Sequence, residues 1–154
     1  MAEKQKFPSE MIDLPSKGLL YPKDSPLSAG QIELKYMTAR EEDILTSQNL
    51  IKKGLVIDKL LEALIITEGV NIDDLITGDK NALMVAARIL AYGADYTVEI
   101  TNPYTDEKVP HTFSLTDCPF KETPSDTDYS SGRLSVELPI SKNNLEFKFL
   151  TGAD

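Results

Sequence analysis

Asp79-Lys-Asn-Ala-Leu-Met-Val-Ala-Ala-Arg-Ile-Leu-Ala-Tyr-Gly93-Ala-Asp-Tyr-Thr-Val-Glu-Ile100 changes its periodicity at Gly93. Before the glycine, Leu83, Met84, Val85, Ala86, Ala87, Ile89 and Leu90 leave a polar face only at Lys80, Asn81 and Arg88, the pattern of a largely buried, central helix. Asp79 is placed to cap that helix and Gly93 to end it at Tyr92. After the glycine, Tyr96, Val98 and Ile100 alternate with polar residues, the period of a strand. A chain that completes its helices and then begins its strands is α+β, so the fold class turns on this stretch.

Downstream, the alternation resumes at Val109–Leu115 across the polar turn 102–108, which contains Pro103, and closes a first antiparallel hairpin. Leu134, Val136 and Leu138 alternate in the same way and meet Leu145, Phe147 and Phe149 across the turn 139–144, giving a second hairpin. Thr123–Gly132 between them is polar and is expected to be mobile. Upstream, Asn71–Gly78 reads as a turn with one tight helical bend. Val56, Ile57, Leu60, Leu61 and Leu64 fall at helical spacing within 55–66, after a break at Gly54. Thr38-Ala-Arg-Glu41 is a capping box that starts a further helix, and Glu41, Glu42 and Asp43 suit the positive end of its dipole without any need for a metal. Ile32, Leu34 and Tyr36 share one face of a short strand just before it. The expected architecture is an extended N-terminal arm and short strand, about three helices, then two C-terminal antiparallel β-hairpins.

Residues 7–31 hold Pro8, Pro15, Pro22 and Pro26 with Gly18 and Gly30, a pattern that excludes long helix and predicts an extended arm with turns. The predicted division is an arm over 1–31 and a single α+β body over 32–154, with its helical part at 38–93 and its β part at 95–152. Phe7, Met11, Ile12, Leu14, Leu19, Leu20 and Tyr21, with Leu27, make the arm too apolar for a solvated linker. Two readings stay open: the arm packs along its own domain, or the first seven of these residues dock on a partner.

The chain has 154 residues, 25 acidic against 16 basic, and a net charge of −9, a field that repels phosphate backbones and anionic membrane surfaces. Residues 95–154 alone carry eleven acidic and five basic groups. No apolar run approaches the roughly 18 residues of a membrane span. A single cysteine, Cys118, excludes an internal disulfide and a multi-thiolate zinc site and fits a reducing compartment. His111 is the one histidine available as a base; on an apolar strand face and without a nucleophile motif it reads as a half-buried side chain. Asp73-Asp74 and Asp106-Glu107 lie in turns, where acidic residues bond locally, and no complete phosphate-loop, dinucleotide, zincin or EF-hand pattern is present. The residues therefore predict no enzyme, no cofactor, no metal, no nucleic acid, no membrane insertion and no small-molecule substrate.

Three blocks carry a family resemblance. They are Phe7-Pro-Ser-Glu-Met-Ile-Asp-Leu-Pro-Ser-Lys-Gly-Leu-Leu-Tyr-Pro22 running into Gly30–Leu45; Gly78-Asp-Lys-Asn-Ala-Leu83 continuing to Arg88 and Tyr92-Gly-Ala-Asp-Tyr96; and Leu138-Pro-Ile-Ser-Lys142 followed by Phe147-Lys-Phe-Leu-Thr-Gly152. In order and spacing they resemble the baseplate hub assembly proteins of T-even-like contractile-tailed bacteriophages. The resemblance implies a non-enzymatic protein that helps to assemble the hub beneath the tail tube, as a transient chaperone or a retained subunit. Its implied partners are other baseplate and hub proteins, and its implied location is the infected host's cytoplasm during assembly or the virion baseplate. Several relatives carry a Cys-x-x-Cys pair at the tip of the first hairpin, where this chain has Asn102-Pro-Tyr-Thr-Asp106, and relatives tend to continue past the Leu-Thr-Gly block. A small cytoplasmic enzyme using His111 and a protein-binding adaptor without a viral role are the alternatives.

Overall fold

The computed structural model describes residues 7–118, 121, 124, 127–129 and 132–154. The element order is β1 (Ser9–Asp13), β2 (Gln31–Lys35), α1 (Ala39–Thr46), α2 (Gln48–Lys53), α3 (Val56–Leu64), α4 (Thr77–Tyr92), β3 (Asp95–Thr101), β4 (Lys108–Ser114), β5 (Arg133–Glu137) and β6 (Asn144–Lys148). The strands form three two-stranded antiparallel ribbons, β1–β2, β3–β4 and β5–β6. The fold is α+β, with helices followed by two hairpins as the switch at Gly93 predicts.

The N-terminal segment is tied into the body across residue 31. β1 pairs with β2 from Ser9 opposite Lys35 to Asp13 opposite Gln31, and the Leu14 amide continues the ladder to the Gly30 carbonyl at 2.8 Å. The loop between the two strands folds back on itself at Gly18 and Gly30, both at positive φ. A Cβ on Gly18 would lie 2.3 Å from the Ser28 carbonyl oxygen, and one on Gly30 2.8 Å from the Lys17 carbonyl carbon, so only glycine lets these backbones touch. The far edge of β2 is occupied as well. Leu34 forms a bridge with Ile65, the Ile66 amide donates to the Glu33 carbonyl at 2.9 Å, and the Glu33 amide donates to Thr67 Oγ1 at 2.9 Å. That pairing ends α3 at Leu64, two residues before its apolar period runs out.

Leu14, Tyr21, Leu27, Ile32 and Leu34 from this N-terminal ribbon and loop meet Leu60, Leu61 and Leu64 of α3, Ile72 and Leu75, and Leu83 and Ala87 of α4 in one core cluster. Each aliphatic side chain taken out of water there contributes about 1.5–3 kcal/mol. The helix opened by the capping box at Thr38 is broken at Ser47, whose ψ of 105° is extended, into α1 and α2. The Lys80 ammonium reaches Asp58 at 2.5 Å and ties α4 to α3. α4 differs from the helix read in sequence: it starts at Thr77 after Ile76, which makes Asp79 an interior residue rather than the cap. Its buried side chains are Asp79, Ala82, Leu83 and Ala87, whereas Ile89 and Leu90 are only half-buried.

The C-terminal segment returns to the start of α4. Thr151 bridges Ile76, the Thr77 amide donates to the Leu150 carbonyl at 2.9 Å, and the Gly152 amide donates to the Leu75 carbonyl at 3.1 Å. Phe149 packs on the core with its ring 6.2 Å from that of Tyr129. Half of the stretch 123–132, for which mobility is expected, lies outside the described residues, and Tyr129 within it is buried. The hairpins β3–β4 and β5–β6 add no buried strand residue to this core, and the half-buried position predicted for His111 is an exposed one.

Candidate functional site

The strongest local chemistry gathers at Asp79, whose side chain is sealed from solvent. Its Oδ1 accepts the Ser16 amide at 3.0 Å, and its Oδ2 accepts the Ser16 hydroxyl at 2.6 Å and the Tyr21 hydroxyl at 2.7 Å. Tyr21 Oη in turn accepts the Ile76 amide at 3.1 Å, and Ser16 Oγ accepts the Gly18 amide at 3.2 Å. A buried carboxylate is tolerable only when its oxygens are satisfied, and here the donors come from a loop some sixty residues away in sequence. Burial, reinforced by the hydrogen bond to Asp79, pushes the Tyr21 phenol well above its ordinary value and keeps it a donor. The node joins the N-terminal loop to the first turn of α4.

A second polar node sits where β2 meets α1. Glu41 is buried and accepts from Lys35 Nζ at 2.8 Å, from the Thr38 amide at 3.0 Å and from the Thr38 hydroxyl at 2.5 Å. Burial works to raise the Glu41 carboxyl, but the Lys35 and Thr38 donors outweigh it and hold the group down at about 2. The capping box read in the sequence is present, with Lys35 as an additional partner that spacing along one helix does not show.

The seven candidate partner-binding residues divide between the core and the surface. Leu14 and Tyr21 are core, and Ile12 and Leu20 pack against it. Phe7, Met11 and Leu19 are 46%, 58% and 45% exposed. Phe7 lies under the Lys35 ammonium at 5.1 Å from its ring centre, which leaves Lys35 between Glu41 and an aromatic face. The structure thus brings four of the seven inward and holds three outward on the same folded segment.

The residues weighed for catalysis are not assembled with one another. His111 stands opposite Val98 with its ring 6.4 Å from Phe113, and Cys118 is exposed. Asp73, Asp74, Asp106 and Glu107 are exposed. Among the described residues no group of three or more His, Cys, Asp or Glu is arranged to hold a metal ion, and no helix is long and apolar enough to cross a membrane. Asp79 and Glu41 were legible in the sequence only as helix-terminus acids; a carboxylate serving a distant segment leaves no periodic signal.

Both nodes fasten segments of the chain together, so the fold is that of an α+β protein whose N-terminal ribbon is tied to α4 through Asp79. Residues 10–150 match the family described as T4 bacteriophage base plate protein, and the chain belongs to that family. Comparison with curated proteins and with solved structures finds no match. A phage baseplate family suggests a non-enzymatic role, contacts with other baseplate proteins and a place in the virion tail.

Proposed function

We propose that this chain is a non-enzymatic component or assembly factor of the baseplate hub that binds other tail and baseplate proteins during assembly, in the infected host's cytoplasm and in the baseplate it helps to build. The observation that carries the reading is the division of the N-terminal segment: Leu14 and Tyr21 anchor it in the core, while Phe7, Met11 and Leu19 stay exposed on the same framework. Apolar side chains carried on an already paired backbone spare the cost of ordering a loop on docking, which favours them as contact residues. Met11 shares the outer face of the β1–β2 ribbon with Glu33, its partner in the ladder, so the apolar group is set among charges as at the rim of a protein contact.

The test is co-expression with the other baseplate proteins of the same phage. The double variant Met11→Lys/Leu19→Lys is expected to lose co-purification while melting like the parent, because neither side chain is buried. Undiminished co-purification would overturn the assignment of this surface.

A further inference from the structure

The β3–β4 hairpin carries a surface that the N-terminal reading leaves unused. Its register sets Tyr96, Val98 and Ile100 opposite Phe113, His111 and Val109, so six side chains share one face. Tyr96, Ile100, Val109 and Phe113 are each between 38% and 50% exposed. Arg88 of α4 stands 5.7 Å from the Tyr96 ring at the root of this face, and Tyr96 meets Phe113 edge to face at 5.6 Å. Further out, the hollow over Ile100, Val109 and His111 is lined by hairpin residues alone. A two-stranded ribbon with one bare apolar face is marginal in water and gains stability from whatever covers that face.

Charge selects the occupant. Residues 95–117 hold Asp95, Glu99, Asp106, Glu107 and Asp117 against the single lysine Lys108, which itself lies 3.6 Å from Glu99. Charges are felt over about 8–10 Å at physiological salt, more than the thickness of a single ribbon, so acids on the opposite strand face and in the turn set the field at the apolar face as well. Two copies stacked face to face would bring two such acidic ribbons together, which disfavours self-association.

We propose that the face formed by Tyr96, Ile100, Val109 and Phe113 docks a basic baseplate protein, whose contact patch has an apolar centre ringed by lysine and arginine. The proposal rests on the reading that this chain binds other baseplate proteins, and it names a second surface and the chemistry of what binds there. The apolar centre supplies the affinity by excluding water, and the acidic rim speeds encounter and excludes acidic partners.

The experiment measures binding of the full chain to each of the other baseplate proteins of the same phage, purified singly, at low and high salt. Two variants accompany it: Ile100→Thr/Val109→Thr, which removes apolar area while keeping strand formers, and Asp106→Asn/Glu107→Gln, which removes rim charge. The expected result is one basic partner whose affinity falls by about tenfold or more in the first variant, the loss of a single contact hot spot. Its association rate should fall in the second variant and at high salt, and both variants should melt like the parent. A partner that binds parent and hairpin variants alike overturns this inference and leaves the proposed function standing. So does a dimer of this chain that the first variant abolishes, because the occupant is then a second copy. If none of the baseplate proteins binds, the proposed function falls together with the inference.

Discussion

A single buried hydroxyl shows how much of this fold hangs on polar detail. Tyr21 donates to Asp79 and accepts from the Ile76 amide, so Tyr21→Phe removes a donor from a buried carboxylate and strands a buried amide. Hydrogen bonds to charged groups contribute about 1.5–3 kcal/mol, and Tyr21→Phe is expected to cost that much in urea denaturation. Tyr104→Phe, at a ring that is almost wholly exposed, should cost nothing measurable. Glu41 gives the pH dependence. Its carboxyl lies near 4.5 ordinarily and at about 2 in the fold, so the unfolded chain takes up the proton first as the pH falls. The stabilisation is therefore complete above about pH 4.5 and is lost progressively as the pH drops toward 2, on the order of 3 kcal/mol for the full shift. Urea midpoints measured across that window should fall for the parent more steeply than for Glu41→Gln.

At the level of elements, α4 is the member whose sequence misleads most usefully. The run from Leu83 to Leu90 reads as apolar nearly all round, yet only the half of the helix near Leu83 is enclosed by α3 and the N-terminal ribbon. Leu83→Ala should cost about 2–5 kcal/mol, Leu90→Ala clearly less, and the exposed Leu19→Ala almost nothing, as read from denaturation midpoints. Equal losses at Leu83 and Leu90 would mean that the second half of the helix is covered in solution. The helices and both hairpins were legible because their periods, caps and turns are local properties. β1 was not, since Pro8 and Pro15 flank a five-residue strand and its partner lies beyond a turn-rich loop. Nor could alternation show that the hairpin faces stay open: the same pattern of Tyr96, Val98 and Ile100 serves a covered strand and a bare one. The surface-bound part of the candidate site, Phe7, Met11 and Leu19, was legible as apolar excess in the arm, but which residues turn outward is decided by the pairing of β1 and by Asp79.

For the whole molecule, the N-terminal segment is a structural part and not an appendage. Deleting residues 1–30 removes β1 together with Leu14, Tyr21 and Leu27, and leaves Asp79 without its Ser16 and Tyr21 donors. The truncated chain is expected to lose its cooperative thermal transition, which calorimetry would check; a sharp transition near the parental temperature would show that the core closes without the ribbon. The contact between Ser16 and Asp79 spans 63 residues, and that between Thr77 and Leu150 spans 73. Both converge on the first turn of α4, which is therefore the place where the two ends of the chain are reconciled. During synthesis at about 5–20 residues per second, Ser16 waits roughly 3–13 s for Asp79 to be made. Over that interval Leu14, Leu27 and Ile32 exist as an unsatisfied apolar nascent chain, and a domain with so many distant pairings folds more slowly than a helical bundle of its length. The nascent N-terminal segment is thus open to chaperones and proteases until residue 79 emerges, the interval in which its late partner does not yet exist.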